Sequence, residues 1–451
     1  MSYTSLVFWG LLGSTLAGVA LMRKRWRVWW LIATSLVFYA WPDPVRLVWL
    51  GIIIIAMIGT LRLPRSGPHW LTSGMTIAFL VTLLVWAKFA DAFGLGTSNV
   101  PPGLSFIIFS AIAVLIDQTR ERRAIGYRDG VLHLTWFPKI LAGPIERPKN
   151  LIPQFGDLAV RPACAALGLS WLLVGLVKKL VIADSLAPTV EAAYAIPAYA
   201  PSIELLIASY FFAFQIYCDF SGYADIAIGL SLMVGLRLSM NFDRPYFSPT
   251  ISEFWASRWH ISLAHWFRDY LYFPLGGSRM GWPRQVLNLM TVFLLSGLWH
   301  AGLGYGIGWG FLIWGGLNGL FVCLETLLPT PRRRVARVLR AIVTFHLVLL
   351  TWIFFRANSV TDAFTILKRI ATAIPELPSL LSSYPFGSAQ VSGGALILVL
   401  LIVEAMTRKK PPAEHLVDAG VPLRWAGWYA MIAVLLLFGH WQETEFIYAG
   451  F

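Results

Sequence analysis

At 451 residues the chain is long enough for two or three soluble domains, but 57% of it is hydrophobic and only 13% charged, about half the charged share of an ordinary soluble domain. No long polar stretch interrupts the apolar segments between Val7 and Gly439, which excludes a water-soluble protein and points to one membrane domain over 1–451. The formal charge of +13 would suggest nucleic acid in a soluble chain, yet the Lys and Arg sit in short clusters between apolar runs, as inner membrane loops require, so no nucleic acid partner is expected.

In chain order, stretches 4–22, 28–42, 45–62, 71–93 and 101–117 each approach the ~20 apolar residues that cross a bilayer. The first lacks a basic segment before it and is followed by MRKRWR, so it reads as a span, not a cleaved leader. Arg23–Arg27, Arg62 with Arg65, and the run Gln118–Gly130 place the first, third and fifth loops in the cytoplasm and the N-terminus outside. Arg46 and Lys88 are exceptions to that alternation. Further spans are expected near 161–184, 200–217, 286–300, 306–327, 338–355, 392–406 and 424–439. Arg332, Arg333, Arg334, Arg337 and Arg340 mark another inner loop, and Arg408, Lys409 and Lys410 one more; the tail EFIYAGF then lies outside.

Residues 135–155 and 218–277 are too apolar for exposed loops but broken by Pro, Gly and charges. They are expected to be re-entrant or interfacial, because irregular backbone at membrane depth survives only inside protein or beside a water-filled cavity. The chain thus divides into N-terminal spans (1–130), a core with re-entrant segments (131–320), and C-terminal spans and tail (321–451). The longest surface excursion is expected at 356–391. Cys164, Cys218 and Cys323 have neither pairing nor metal spacing and read as small buried apolar residues.

Ionisable groups inside apolar segments are costly, so each invites a functional reading beside a structural one. His300, in LLSGLWHAG, has Trp299 beside it and Gly297 and Gly302 close by. Burial favours the neutral imidazole, which accepts a proton from a hydroxyl and suits a general base. A buried His satisfied by one backbone carbonyl fits the same residues equally well. In EFWASRWHISLAHWFRDYLYFPLGG, helical spacing brings Trp255, Arg258, Trp259, Ser262 and Trp266 to one face. That segment is either an interfacial amphipathic helix or the border of a cavity whose Arg258 or Arg268 receives a phosphate-bearing donor. Asp219 and Asp225 read as helix caps or partners of nearby Arg, and no metal is expected. His346 suits a hydrogen bond between helices; His69, His133, His415 and His440 have no surroundings like those of His300. No nucleophile elbow, phosphate loop, HExxH or dinucleotide fingerprint stands in a suitable context.

GLSFIIFSAIAVLID (103–117), FPKILAGPIERPKNLIPQF (137–155), CDFSGYADIAIGL (218–230), the run 241–277 and NLMTVFLLSGLWHAG (288–302) resemble, in one order, the membrane-bound O-acyltransferase (MBOAT) family and its bacterial alginate O-acetyltransferase-like branch. The resemblance implies an all-α membrane protein: a ring of about 11 transmembrane helices, with re-entrant and interfacial helices, around a central tunnel. It implies an O-acyltransferase, acetyl in type, of the bacterial inner membrane. His300 would be the base and His260 a second catalytic-region residue on the donor side, with Arg258, Trp259, Arg268, Asp269 and Trp299 around the donor. It further implies no tightly bound cofactor, an acyl thioester such as acetyl-CoA as donor, a polysaccharide acceptor, and a periplasmic or surface SGNH-type acyltransferase partner. Three residues depart from the family pattern: Ala301 for Gly, Ser257 for Arg and Asn318 for His; the segment 302–310 is also long and Gly-rich. A lipid-linked saccharide transporter or a noncatalytic export scaffold are the competing readings. A transporter would be expected to show paired halves, and the sequence has no internal repeat.

Overall fold

The computed structural model describes residues 3–41, 43–63, 69–95, 100–121, 125–302, 308–329, 333–442 and 446–447. Arg65, Arg332, most of the segment 302–310 and most of the tail EFIYAGF lie outside the described residues. Every regular element among the described residues is helical. The principal helices are α1 (Leu6–Leu21), α2 (Lys24–Ala40), α3 (Arg46–Arg62), α4 (His69–Phe89), α5 (Leu104–Glu121), α6 (Tyr127–Thr135), α7 (Pro162–Ala195), α8 (Ser202–Met233), α9 (Ile261–Phe267), α10 (Trp282–His300), α11 (Trp309–Glu325), α12 (Arg334–Arg356), α13 (Val360–Ala373), α14 (Ser388–Met406) and α15 (Val421–Phe438).

Within the described residues six helices, α4, α7, α8, α12, α14 and α15, are long and apolar enough to cross a membrane. The other expected spans form α1, α2, α3, α5, α10 and α11, helices of 16 to 19 residues. α8 is the axis: 72% of its apolar window is buried, against 11% for α15. Its 32 residues extend about 48 Å, well beyond a ~30 Å hydrocarbon core. α8 therefore continues through CDFSGYADIAIGL, which corrects the expectation that irregular backbone begins at Cys218. Only from Val234 onward does the chain leave regular helix.

α7 packs along α8 at backbone range, because a Cβ on Gly175 would come within 2.6 Å of the Gly222 carbonyl; without a hydrophobic drive between helices, small residues let apolar spans meet. A π turn at Val177–Ala183 interrupts α7 and presents two consecutive lysines to α8. Lys178 pairs with Asp225 at 2.7 Å; Lys179 pairs with Asp219 at 2.7 Å and Asp184 at 2.9 Å. Asp219 and Asp225 are thus mid-helix ion-pair partners of lysine, not caps or partners of arginine. Cys218 and Cys323 are buried, but Cys164 is only half-buried.

The region 356–391 is not a loose excursion, since α13 and two short helical stretches occupy most of it. α13 is amphipathic: Ala363 and Ile366 are buried while Phe364 is exposed, as in a helix lying along an interface. His346 accepts or donates a 2.8 Å hydrogen bond with the Tyr210 hydroxyl, joining α12 to α8. His133, expected to lack special surroundings, is fully buried in α6.

Candidate active site

The expected single helix around His260 is broken in two. Thr250 caps a first turn at the Glu253 amide, residues Phe254–Arg258 form a π turn, and α9 starts only at Ile261. His260 lies between them at φ 45°, a left-handed conformation that costs a non-glycine residue of order 1–3 kcal/mol and persists only when its surroundings over-determine it. Asn241 supplies that constraint. Its backbone carbonyl accepts from the Ile261 amide at 3.0 Å, and its side-chain oxygen accepts from the Ser262 amide at 3.1 Å and hydroxyl at 2.9 Å. The Ser262 hydroxyl in turn accepts from the Ile145 amide at 2.9 Å. Trp255 and Trp266 therefore do not share one helical face; the break turns the His260 ring inward.

His300 ends α10, and the backbone there is held from two sides. Gly297 lets α11 approach, since a Cβ there would come within 2.4 Å of the Phe311 carbonyl. From α4, the buried Lys88 donates to the carbonyl of Trp299 and, at 3.4 Å, to that of Ala301. A helix C-terminus leaves such carbonyls unpaired, and a cation suits them. The charge that contradicted the loop pattern is thus a buried helix cap. An ionisable residue within a span was the signal available for it.

The His300 ring packs among aromatics, with centroids 4.4 Å from Trp299, 5.2 Å from Trp314 and 5.1 Å from Phe355. His260 packs edge-on to Phe220 at 4.7 Å and lies 6.5 Å from Trp299. Trp299 thus touches both imidazoles, which are 3% and 4% exposed. Both histidines line one largely apolar cavity of about 370 Å³, together with Trp259, Arg268, Ser296 and Trp314. The cavity follows α11 from Trp314 to Thr326. At the opposite end of α11, Phe311 and Phe355, neighbours of His300, line a second cavity of about 370 Å³ with Gly308 and Ser359.

Of the residues expected around a donor, Trp259 and Arg268 line the histidine cavity; Arg258, Asp269 and Trp299 do not. Arg258 is tied to Glu253 at 2.6 Å and to the carbonyl of Asp243 at 3.2 Å, so its charge is already compensated. Asp269 lines a separate polar cavity of about 500 Å³ with Asp117, Arg120, Arg147, Lys149 and Tyr270. It pairs with Arg268 and Arg147, both at 2.7 Å. Burial pushes the Asp269 carboxyl up, but the Arg268 hydrogen bond and the Arg147 charge outweigh it and hold the group below the usual carboxylate range. Burial first, then Arg268, holds the His265 imidazole below its ordinary value.

Two features had no sequence signal. Among the described residues the Trp314 indole N–H is buried without a hydrogen-bond partner while its ring lines the histidine cavity, an orphan donor of the kind that calls for an explanation. Arg147, in the AGPIER stretch, donates to the His265 carbonyl at 2.8 Å and lies 4.1 Å over the Tyr270 ring. Asn318, standing where the family pattern has His, accepts from the Trp255 indole at 2.9 Å and donates to the Trp314 carbonyl at 2.8 Å. Among the described residues no group of three or more His, Cys, Asp or Glu is placed to hold a metal ion.

Residues 104–360, which contain both histidines, match the profile of MBOAT, the membrane-bound O-acyltransferase family. The chain belongs to that family. As an MBOAT it is a multi-pass membrane protein and an O-acyltransferase. It is 35% identical to the probable alginate O-acetylase AlgI of Azotobacter vinelandii over 76% of this chain and 72% of that protein. It is 31% identical to the peptidoglycan O-acetyltransferase of Helicobacter pylori over 75% and 72% of the two chains. To the teichoic acid D-alanyltransferase of Bacillus subtilis it is 25% identical over 54% and 66%. The MBOAT profile starts after Lys88, so the lysine that caps α10 lies outside the matched region.

Proposed function

We propose that this MBOAT protein transfers an acetyl-like acyl group from a thioester to a hydroxyl of an extracytoplasmic polysaccharide, directly or through a periplasmic SGNH-type acyltransferase. The donor is acetyl-CoA or another acyl thioester entering from the cytoplasm. The observation that carries this reading is the position of His300, whose ring lines one cavity while its neighbours Phe311 and Phe355 line another at the opposite end of α11. The names of the relatives, an alginate O-acetylase and a peptidoglycan O-acetyltransferase, support the acetyl group and the polysaccharide acceptor.

In this mechanism neutral His300 takes the proton of the acceptor hydroxyl as its oxygen attacks the thioester carbonyl carbon. The tetrahedral intermediate collapses with cleavage of the C–S bond, the ester forms, and the thiolate leaves with the proton returned from His300. The Trp314 N–H, which has no other partner among the described residues, donates to the oxyanion, where a fixed donor in a dry site has its largest effect. His260 and Trp259 border the donor, and Arg268 at the cavity wall meets donor phosphate. The acceptor approaches from the Gly308 and Ser359 side.

The test is acyl transfer by protein in vesicles with an isotopically labelled thioester. His300→Ala is expected to lower transfer by about 10²–10⁴-fold, the usual contribution of a general base. Unchanged transfer would remove His300 from the chemistry; glycan export that persists in this variant while no transfer is ever detected would favour the transporter.

A further inference from the structure

α7, α8 and α14 enclose another cavity, of about 460 Å³, whose lining shares no residue with the histidine cavity. Tyr217 and Phe242 form its wall on that side and pack against Trp259 at 6.2 and 5.2 Å, so aromatic rings separate the two spaces. Most of the lining is apolar, including Trp171, Ile182, Leu400 and Met431. Two polar pairs interrupt it: Lys178 with Asp225 at 2.7 Å, and the Tyr217 hydroxyl donating to Glu404. Arg244, Lys409 and Lys410 also line the cavity.

The depth of these groups is informative. Glu404 is two residues from the end of α14, and Asp225 is eight residues, about 12 Å, from the end of α8. The polar groups thus stand near the membrane boundary marked by the basic cluster Arg408–Lys410, while the apolar wall continues inward. Arg244 is offset by Asp243 and Lys410 by Asp418, each at 2.7 Å, whereas Lys409 is in no ion pair among the described residues. Exposed Arg408 adds a further positive charge beside it.

We infer that this cavity binds an anionic glycerophospholipid from the leaflet on the Arg408–Lys410 side. Its phosphate meets Arg244, Lys409 and Lys410, its glycerol and ester oxygens face the Lys178 and Tyr217 pairs, and one acyl chain follows the wall formed by Trp171, Leu400 and Met431. An apolar wall of this extent gives nothing to a free phosphate, and basic residues in the lining favour an anionic head group over a zwitterionic one. This assignment is independent of the acyl-transfer reading, because the aromatic wall separates it from His300.

Native mass spectrometry of the full chain in detergent, titrated with phosphatidylglycerol, phosphatidylcholine or glycerol 1-phosphate, tests it. Phosphatidylglycerol is expected to be retained at one molecule per chain, and phosphatidylcholine about tenfold more weakly. Exposed Lys409 and Lys410 permit the double variant Lys409→Glu/Lys410→Glu without touching the core, and it should weaken phosphatidylglycerol by about tenfold or more. Val403→Trp, which fills the apolar wall, should weaken both lipids. Equal retention of the two lipids, or phosphatidylglycerol retention unchanged in both variants, overturns the site. Glycerol 1-phosphate held as tightly as the lipid overturns it in favour of a free-phosphate site.

Discussion

His300 and His260 are forty residues apart in sequence, yet both rings stand beside one indole, that of Trp299. Removing a single donor without changing ring shape isolates the role proposed for the neighbouring indole. Trp314→Phe should lower kcat by on the order of 10²-fold with little change in donor KM, since an oxyanion donor acts mainly in the transition state; unaltered kcat would eliminate that donor. Lys88 acts at one remove, through the carbonyls that end α10. Lys88→Met should lower kcat by on the order of 10²-fold through misplacement of His300, with donor KM unchanged, and Lys88→Arg should recover part of the loss. A Lys88→Met enzyme with normal kcat would reduce this lysine to a structural cap.

At the scale of elements, the π turn in α7 decides what the lysines can reach. By presenting Lys178 and Lys179 together to α8, it allows two acids of α8 to be charge-paired within the helix bundle. Breaking one partner leaves an uncompensated buried charge, so Asp225→Leu should cost about 3–5 kcal/mol of stability. The double variant Lys178→Met/Asp225→Leu should recover most of that loss, as apolar replacements of buried pairs commonly do. Thermal unfolding in detergent measures both; equal destabilisation by the single and double variants would argue against the pair as the source. The break at His260 belongs to the same scale. A continuous helix would satisfy the spacing of Trp255, Arg258 and Trp266, but the Asn241 and Ile145 segments take the backbone groups of Ile261 and Ser262 and turn the chain.

For the whole molecule, the basic clusters predict a direction across the bilayer. Arg25→Cys, at the exposed start of α2 within the first basic cluster, should react with a membrane-impermeant maleimide only after permeabilisation of spheroplasts, whereas Ser382→Cys, between α13 and α14, should react in intact ones. Cys164→Ser in the background removes the half-buried native thiol. The reverse pattern would invert the protein and exchange the donor and acceptor sides assigned to the two cavities.

Membrane residence, the positions of most helices and the burial of His300 were legible in the chain itself, because apolar length, charge clustering and a histidine inside an apolar run are local properties. The aromatic, Pro-interrupted stretch before His260 was legible as irregular but not as a π turn followed by a left-handed residue, since its geometry is fixed by Asn241, about twenty residues away in the chain. The course of α8 past Cys218 was hidden for a related reason: Asp219 and Asp225 look like helix interruptions until Lys179 and Lys178 arrive from α7. Lys88 looked like an error in topology until α10 presented its end carbonyls. Sequence thus determined which segments enter the membrane; only tertiary packing decided which polar groups within it are compensated by a distant partner and which remain turned toward a cavity.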